Sequence, residues 1–537
     1  MKHLFRSLAV VLVAGLALVA CKNDKKPANS AALDQFIEGH SYVCALADNA
    51  DVLIKLDFFA VLEKSALATD PEFESLREVA FEDDESLRLL LSDPYQLGLD
   101  EKNPILLSVS NLDPDKGGDI YVTVPLTDRE KFVRSFNEED EKFVKDEDGY
   151  YVYSDDGTAA VVGERMVVAY IQTEELIDET EALSLAKAAA GKTALLANLP
   201  GMEEFFTRDD DLAFWFASEK LYNLTRSEVN DAVRKELGIS FEDVMGGNPA
   251  EGTGFLMTLN SRPGELALDG ILYGDNPVTS RIRSWSGTPD RDLLKFIPRD
   301  VDVAGLVCFR NLSDAAAFVQ NVMNQIPDLQ GYQIKTLLPT IGLTVEDLDE
   351  IGTVACGIDL TRQKGVLVAS VGENVEGGIQ RALSLARVSP VSRNDWKLYQ
   401  PVPGVCILLG GGLLVVCDSQ TLGSVGAGGY DGPTFASNPL SKILSNGIVA
   451  DCNCEFIREA IDDELPALNG FLTSVRLNYF DDQIVQMVVE MGESDTQAAK
   501  SLLKLLLSVS ENMVVESYDE EDDDEEDWSG FEFLMDE

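Results

Sequence analysis

Apolar positions along the chain follow two spacings. Ile120, Val122 and Val124 alternate with Tyr121 and Thr123, the period of two that predicts a strand with one buried face. Phe318, Val319, Val322, Met323 and Ile326 follow the i, i+1, i+4, i+5, i+8 spacing of a helix face, and Pro327 ends the run. Thr127 and Glu130 are spaced as a capping box ahead of Phe132, Val133 and Phe136, and Ser494 and Gln497 are spaced likewise ahead of a leucine-rich stretch at 502–507. Strands and helices in this mixture predict an α+β fold, with mainly antiparallel sheets covered by helices.

The pattern repeats. LGISFED at 237–243 is echoed by IGLTVED at 341–347 and, more loosely, by LGLDE at 97–101. Gly238 and Gly342 would stop a helix in the left-handed conformation. Ser240 and Thr344 would then cap the next turn, with Asp243 and Asp347 three residues on. A longer echo pairs GTAAVVGERMVVAY at 157–170 with GVCILLGGGLLVVC at 404–417, each read as a hairpin with a three-residue, glycine-containing loop. ADVLIKL at 50–56 also resembles VDVAGLV at 301–307. Similar separations imply a duplication, with halves at 33–285 and 290–510. Each half holds two units of strand, helix, strand, strand, opened by 51–59, 211–216, 301–309 and 447–454.

The chain carries 94 acidic against 43 basic residues, a formal charge of −51. Such a surface repels phosphate backbones, so nucleic acid is excluded as a partner. Apolar residues make up 45% of the sequence, enough for packed cores. Beyond Cys21, cysteines stand at 44, 308, 356, 406, 417, 452 and 454. The odd number argues against a fully paired disulfide framework. Most are read as core thiols, with Cys406 and Cys417, across a predicted hairpin, as the one pair to check for a disulfide.

The amino terminus adds an address. Residues 1–20 have a basic start, an apolar run too short to span a bilayer, and small residues before Cys21, the layout of a secretory signal. LVAC at 18–21 resembles a lipobox, which implies lipidation of Cys21 and anchorage to a membrane. Residues 21–32 read as a flexible tether. This lipobox, an Ala-Asp-Val strand opening at 50–52, LGLDEKNP at 97–104, and GYY at 149–151 followed by AAV at 159–161 together resemble a family of uncharacterised lipoproteins of Bacteroidota, a domain of unknown function. The resemblance implies a Gram-negative envelope and carries no catalytic residues. The net-basic Lys22–Lys26 stretch favours the periplasmic side of the outer membrane over the cell surface.

Catalytic chemistry finds little footing. AKAAAGKT at 186–193 fits a relaxed phosphate-loop pattern, but a helical stretch leads into it where that motif needs a strand. His40 is the one histidine after the leader, which removes Ser-His-Asp and Cys-His arrangements and His-rich metal sites unless His40 serves. The acidic loop at 113–119 lacks the ligand spacing of a calcium-binding loop. No catalytic, metal-binding or cofactor residue is assigned, and the reading leans against an enzyme.

Residues 516–537 contain 13 acidic residues and no basic one, and are read as a disordered tail. Trp528, Phe531, Phe533 and Leu534 follow the acidic run as a candidate peptide for docking on a partner protein. The expectation is an outer-membrane-anchored, non-enzymatic binding or scaffolding lipoprotein with an envelope protein as partner. The alternatives are an envelope hydrolase using Asp/Glu pairs and a carrier of an apolar ligand.

Overall fold

In a computed structural model, the described residues are 41–47, 89–90, 92–113, 117–137, 143–155, 158–172, 178–190, 200–207, 210–326, 336, 338–393, 395–426, 428–442, 444, 446–453, 472–479, 484–491 and 500. In chain order the first half contributes strands β1 (Ser41–Ala47), β2 (Ile105–Asp113), β3 (Gly117–Pro125), β4 (Val144–Lys145), β5 (Tyr151–Asp155), β6 (Thr158–Val162), β7 (Met166–Gln172), β8 (Leu212–Phe216), β9 (Gly254–Arg262) and β10 (Glu265–Tyr273). Its helices are α1 (Arg129–Asn137), α2 (Glu179–Ala190), α3 (Met202–Thr207), α4 (Ser218–Leu237), α5 (Phe241–Met245) and α6 (Pro277–Ser284). The second half contributes β11 (Val303–Cys308), β12 (Ile351–Asp359), β13 (Lys364–Val371), β14 (Val391–Arg393), β15 (Trp396–Val402), β16 (Val405–Gly410), β17 (Leu413–Asp418), the small β18 (Val425–Gly426) and β19 (Gly429–Tyr430), then β20 (Gly447–Asn453), β21 (Leu472–Tyr479) and β22 (Ile484–Met491). Helices α7 (Leu312–Gln325) and α8 (Glu373–Leu385) belong to it.

All strands but β18 and β19 join one antiparallel ladder of 20. Its first-half order is β4-β5-β6-β7-β3-β2-β1-β8-β9-β10. It continues β22-β21-β20-β11-β12-β13-β17-β16-β15-β14. Read outward from the β10–β22 joint, the two arms have the same connectivity, so the fold is α+β and internally duplicated, as the repeats predict. In each half the first strands of its two units lie side by side, β1 on β8 and β11 on β20.

Three of the four predicted unit openings are β8, β11 and β20. The fourth, 51–59, lies outside the described residues, and β1 at Ser41–Ala47 takes the place that β11 has in the second arm. The 50–56 with 301–307 echo therefore pairs the wrong segments. Both longer echoes are hairpins, β6–β7 and β16–β17. Residues 163–165 separate β6 from β7, the expected three, whereas the β16–β17 loop holds two. Gly410 pairs with Leu413, leaving Gly411 and Gly412 at φ 61° and 78°, the double positive φ that suits a right-twisted hairpin.

The LG motifs sit at one place in three units, just before the second strand. Gly98, Gly238 and Gly342 all have positive φ, at 88°, 78° and 70°. Ser240 and Asp243 form a reciprocal capping box, and Thr344 and Asp347 exchange the same two bonds, at 2.7 and 3.3 Å. In the loose copy Asp100 accepts from the Lys102 amide at 2.7 Å. The Thr127–Glu130 box does not form. Asp128 caps α1, accepting from the Lys131 amide at 2.9 Å, because the Thr127 hydroxyl is engaged by the Gly98 and Leu99 carbonyls. Residues 494–507 lie outside the described residues, except for residue 500.

The centre of the first-half sheet is covered on both faces, which corrects the one-face reading of β3. Val122 packs with Phe132, Val133 and Phe136 of α1, while Thr123 on the other face is also buried. That second face carries Cys44, Leu106, Val168 and Trp215 under Met202 and Phe205 of α3, and Ala159, Val161 and Tyr170 under Ala182 and Ala186 of α2. In the second half the matching face is covered by an irregular strap, with Leu293, Phe296, Phe435 and Leu444 over Ala304, Val366, Leu408 and Val415. Helix α7 spans the predicted residues, but Val319 on its apolar side is 45% exposed. Among the described residues no helix is long and apolar enough to cross a membrane.

A Cβ at Gly98 would stand 2.5 Å from the Asp128 backbone oxygen, whereas one at Gly404, φ 88°, meets nothing. Gly404→Ala is expected to cost only the left-handed penalty of roughly 1–2 kcal/mol, and Gly98→Ala clearly more, because backbone must move. Urea denaturation compares them; equal losses would remove the claim that this turn is sterically closed.

Candidate functional site

Several residues singled out from the sequence lie outside the described residues: Cys21, His40, and Trp528, Phe531, Phe533 and Leu534. Helix α2 ends at Ala190 and so runs directly into Gly191, with no strand before the Gly-Lys-Thr triplet. Within α2, Lys187 is held by Asp146 at 2.5 Å. Among the described residues no group of three or more His, Cys, Asp or Glu side chains could hold a metal ion.

Aligning the two arms through the β6–β7 and β16–β17 turns brings a more informative pair of places together. One cross-strand row of the first half runs Trp215, Cys44, Ser108, Tyr121, Tyr170, Ala159. Its counterpart runs Val449, Ala304, Gly357, Val366, Cys417, Cys406. Two tyrosines thus correspond to a valine and a cysteine. One step further along β3, Asp119 corresponds to Lys364 of β13.

In the first half this place is sealed. The Tyr170 hydroxyl donates to Asp119 Oδ1 at 2.7 Å, and the Asn111 amide donates to Oδ2 at 2.6 Å. Tyr121 meets Tyr170 edge-on at 5.2 Å. Burial, then the charge of Asp119, pushes the Tyr121 hydroxyl up to about 12. Burial and the bond to Asp119 push Tyr170 upward too, so both remain neutral donors. The Asp113–Asp119 loop, weighed for calcium, thus ends in a carboxylate satisfied by side-chain donors.

In the second half the corresponding place is open. A cleft of about 250 Å³ lies between the β12–β13 hairpin, residues 298–301 and residues 420–433. Gly357, Gly365 and Val366 give it a low floor, and Val301, Tyr430 and the two prolines Pro298 and Pro433 give it an apolar side. Arg299, Arg362 and Lys364 face it with Asp300 and Asp359. Three cations against two carboxylates is a local reversal of the chain's acidity. Arg362 is tied to Asp359 at 3.1 Å, and Arg299 stands 3.9 Å from Asp300. Lys364 is half-buried, and among the described residues its side chain has no hydrogen bond or ion pair.

The rim is fixed through Asp418. It accepts from the Gln420 and Thr421 amides at 2.8 and 2.9 Å, the Gly365 amide at 3.3 Å and the Thr421 hydroxyl. Burial works against its ionisation, but these donors outweigh it and hold the carboxyl below the usual aspartate range. Cys406 and Cys417 face each other across the hairpin as free, buried thiols. Burial, then Cys406 and Asp418, pushes the Cys417 thiol up to about 12. Cys44 is buried too, while Cys308 and Cys356 are only partly so.

The sequence reading did not single out Lys364 or Tyr430, and met Asp119 only as the end of the loop weighed for calcium. The usable signal was the 157–170 with 404–417 echo, which sets Tyr170 against Cys417 once the hairpins are superposed.

No protein-family profile matches the chain, and no curated protein matches it. Among solved structures, crystal form III of TP0453 aligns at 10% identity over 49% of this chain and 89% of that one, with a TM-score of 0.25. Form IV aligns at 10% identity over 51% and 88%, with a TM-score of 0.25, and form I at 8% over 46% and 83%, with a TM-score of 0.24. Likeness at that level carries no functional argument.

Two outcomes follow from the paired sites. Tyr170→Phe strips the buried Asp119 of one donor and is expected to cost about 1–3 kcal/mol in chemical denaturation; an unchanged midpoint would show that Asp119 is satisfied otherwise. The Cys417 thiol is expected to resist alkylation at pH 8 in the folded protein and to react on unfolding. With its folded pKa above the unfolded one, its contribution is intact below about pH 9 and declines as pH rises toward 12. Rapid labelling of the native protein would contradict this.

Proposed function

We propose that the chain is a lipid-anchored, non-enzymatic binding protein of the cell envelope, held through Cys21 on the periplasmic side of the outer membrane and related to the lipoproteins of Bacteroidota. The observation that carries the binding part is the cleft of the second half. It presents donors and cations on a strand platform, with Asp359 engaged by Arg362 and Asp300 exposed 3.9 Å from Arg299. Asp359 holds Arg362 and caps its turn, accepting from the Arg362 amide at 2.8 Å. A hydrolase of the Asp/Glu type needs a pair of carboxyls placed to exchange protons with a substrate, and here Asp359 is held by Arg362 while Asp300 stands exposed, so this place offers the hydrolase reading no such pair. An apolar carrier gains nothing either, because polar groups dominate the cleft.

The leader sequence supports the anchor, and the acidic tail with Trp528, Phe531, Phe533 and Leu534 supports a docking contact with an envelope protein. Cys21→Ser is expected to move the protein from the membrane to the soluble fraction of cells. Crosslinking in native membranes is expected to capture a partner with the full chain and to lose it when the chain ends after Val515. Membrane retention of the Cys21 variant would refute the anchor. A partner kept by the shortened chain would move docking to the folded body, and no partner in either would remove the scaffold reading.

A further inference from the structure

We propose that the second-half cleft binds a small hydroxylated anion, with an acidic or phosphorylated monosaccharide as the class that fits. The inference deepens the binding reading above and is independent of the lipid anchor and the tail. The anionic part follows from Lys364. Lys364 is half-buried on the cleft wall, and among the described residues its ammonium has no partner, with Arg299 and Arg362 on the same lining. An unpaired cation withdrawn from bulk water favours an anion beside it. The two arginines are partly engaged by their neighbouring aspartates and exposed, so they widen the positive rim without supplying the central contact.

The hydroxylated part follows from the remaining polar atoms. The Tyr430 and Ser424 hydroxyls and the Gln420 side-chain amide line the cleft and have no side-chain hydrogen bond. Each can both donate and accept, which matches sugar hydroxyls. The Tyr430 ring and Val301 add an apolar wall for the carbon face of a ring. Size limits the ligand. About 250 Å³ lies below the roughly 300–1,000 Å³ of drug-sized pockets, so one ring fits and a chain does not.

The duplicated arm gives an independent argument. At the place of Lys364 the first half has Asp119, an anion already paired with Tyr170 and Asn111. There the charge is answered from within the fold, and the tyrosine rings fill the space. The second half has a cation at that position, and the cleft opens beside it and Val366, the counterpart of Tyr121, leaving one unanswered charge.

The test uses the mature chain with glucose 6-phosphate, glucuronate, glucose and inorganic phosphate as probes, followed by calorimetry and thermal shift. The expected result is saturable binding of at least one acidic sugar, with glucose and inorganic phosphate each weaker by about tenfold or more. Lys364→Gln is expected to weaken that binding by about tenfold or more while leaving the melting temperature of the free protein unchanged, since the side chain has no partner to lose. Tyr430→Phe is expected to weaken it by a smaller factor. No saturable binding of either acidic sugar, or binding that Lys364→Gln leaves intact, would overturn the proposal. Inorganic phosphate binding as tightly as the sugars would overturn its hydroxylated part and leave a plain anion site.

Discussion

Seven residue pairs, from Glu265 with Glu490 to Ile271 with Ile484, join β10 to β22 and make one ladder out of two. Each arm alone would end on a long open edge, nine residues in β10 and eight in β22. An exposed edge of that length invites pairing with other chains. Pairing the two edges with each other removes both. Among the described residues the edges that remain are β4 and β14, two and three residues long, and they carry Lys145 and Arg393. Short charged edges are poor templates for further addition. The joint also ties residues near 270 to residues near 490, so the sheet is complete only when the last strand is in place, a strongly non-local topology.

The same economy shapes each arm. A strand-helix-strand-strand unit leaves its first strand with one unpaired side, and two units meet by pairing those sides, β1 on β8 and β11 on β20. What was legible in the sequence is the part fixed by local chemistry. Ser240 with Asp243, the left-handed glycines and the Gly411–Gly412 turn are decided within a few residues. The α+β class and the duplication follow from them. The strand order was not legible, because it depends on which edges remain unpaired after each unit forms. The burial of both faces of β3 was hidden for a related reason. Thr123 is a polar residue on a covered face, and only the placement of α2 and α3 covers it. Likewise the Thr127 cap failed because a distant turn, at Gly98, competes for its hydroxyl.

The candidate site was illegible in a different way. With 94 acidic residues in the chain, Asp119 has no feature that marks it, and Lys364 looks like any hairpin lysine. Their meaning is relational. Register places Asp119 opposite Ser110 and Lys364 opposite Asp359, and only then do the two positions become one position occupied twice. Offsets between matching strands differ, since the loops between them differ in length, so no single shift of the sequence on itself aligns them all.

That shared position shows how a cleft can arise without loosening the sheet. A carboxylate in a covered site needs donors, and Tyr170 and Asn111 meet that demand while the two tyrosine rings exclude water. With Val366 and Cys417 in place of the rings, the strap packs over Cys417 and the cleft opens beside Val366 and Lys364, while the strands beneath stay paired on both sides. A carboxylate left there would lose a donor. A lysine is tolerated, because its long stem reaches past the apolar floor and keeps the ammonium partly solvated. The cleft is therefore bounded on one side by core strands and on the other by a rim held through Asp418. Sites supported in that way lose little of their shape when empty, which suits a place built to bind.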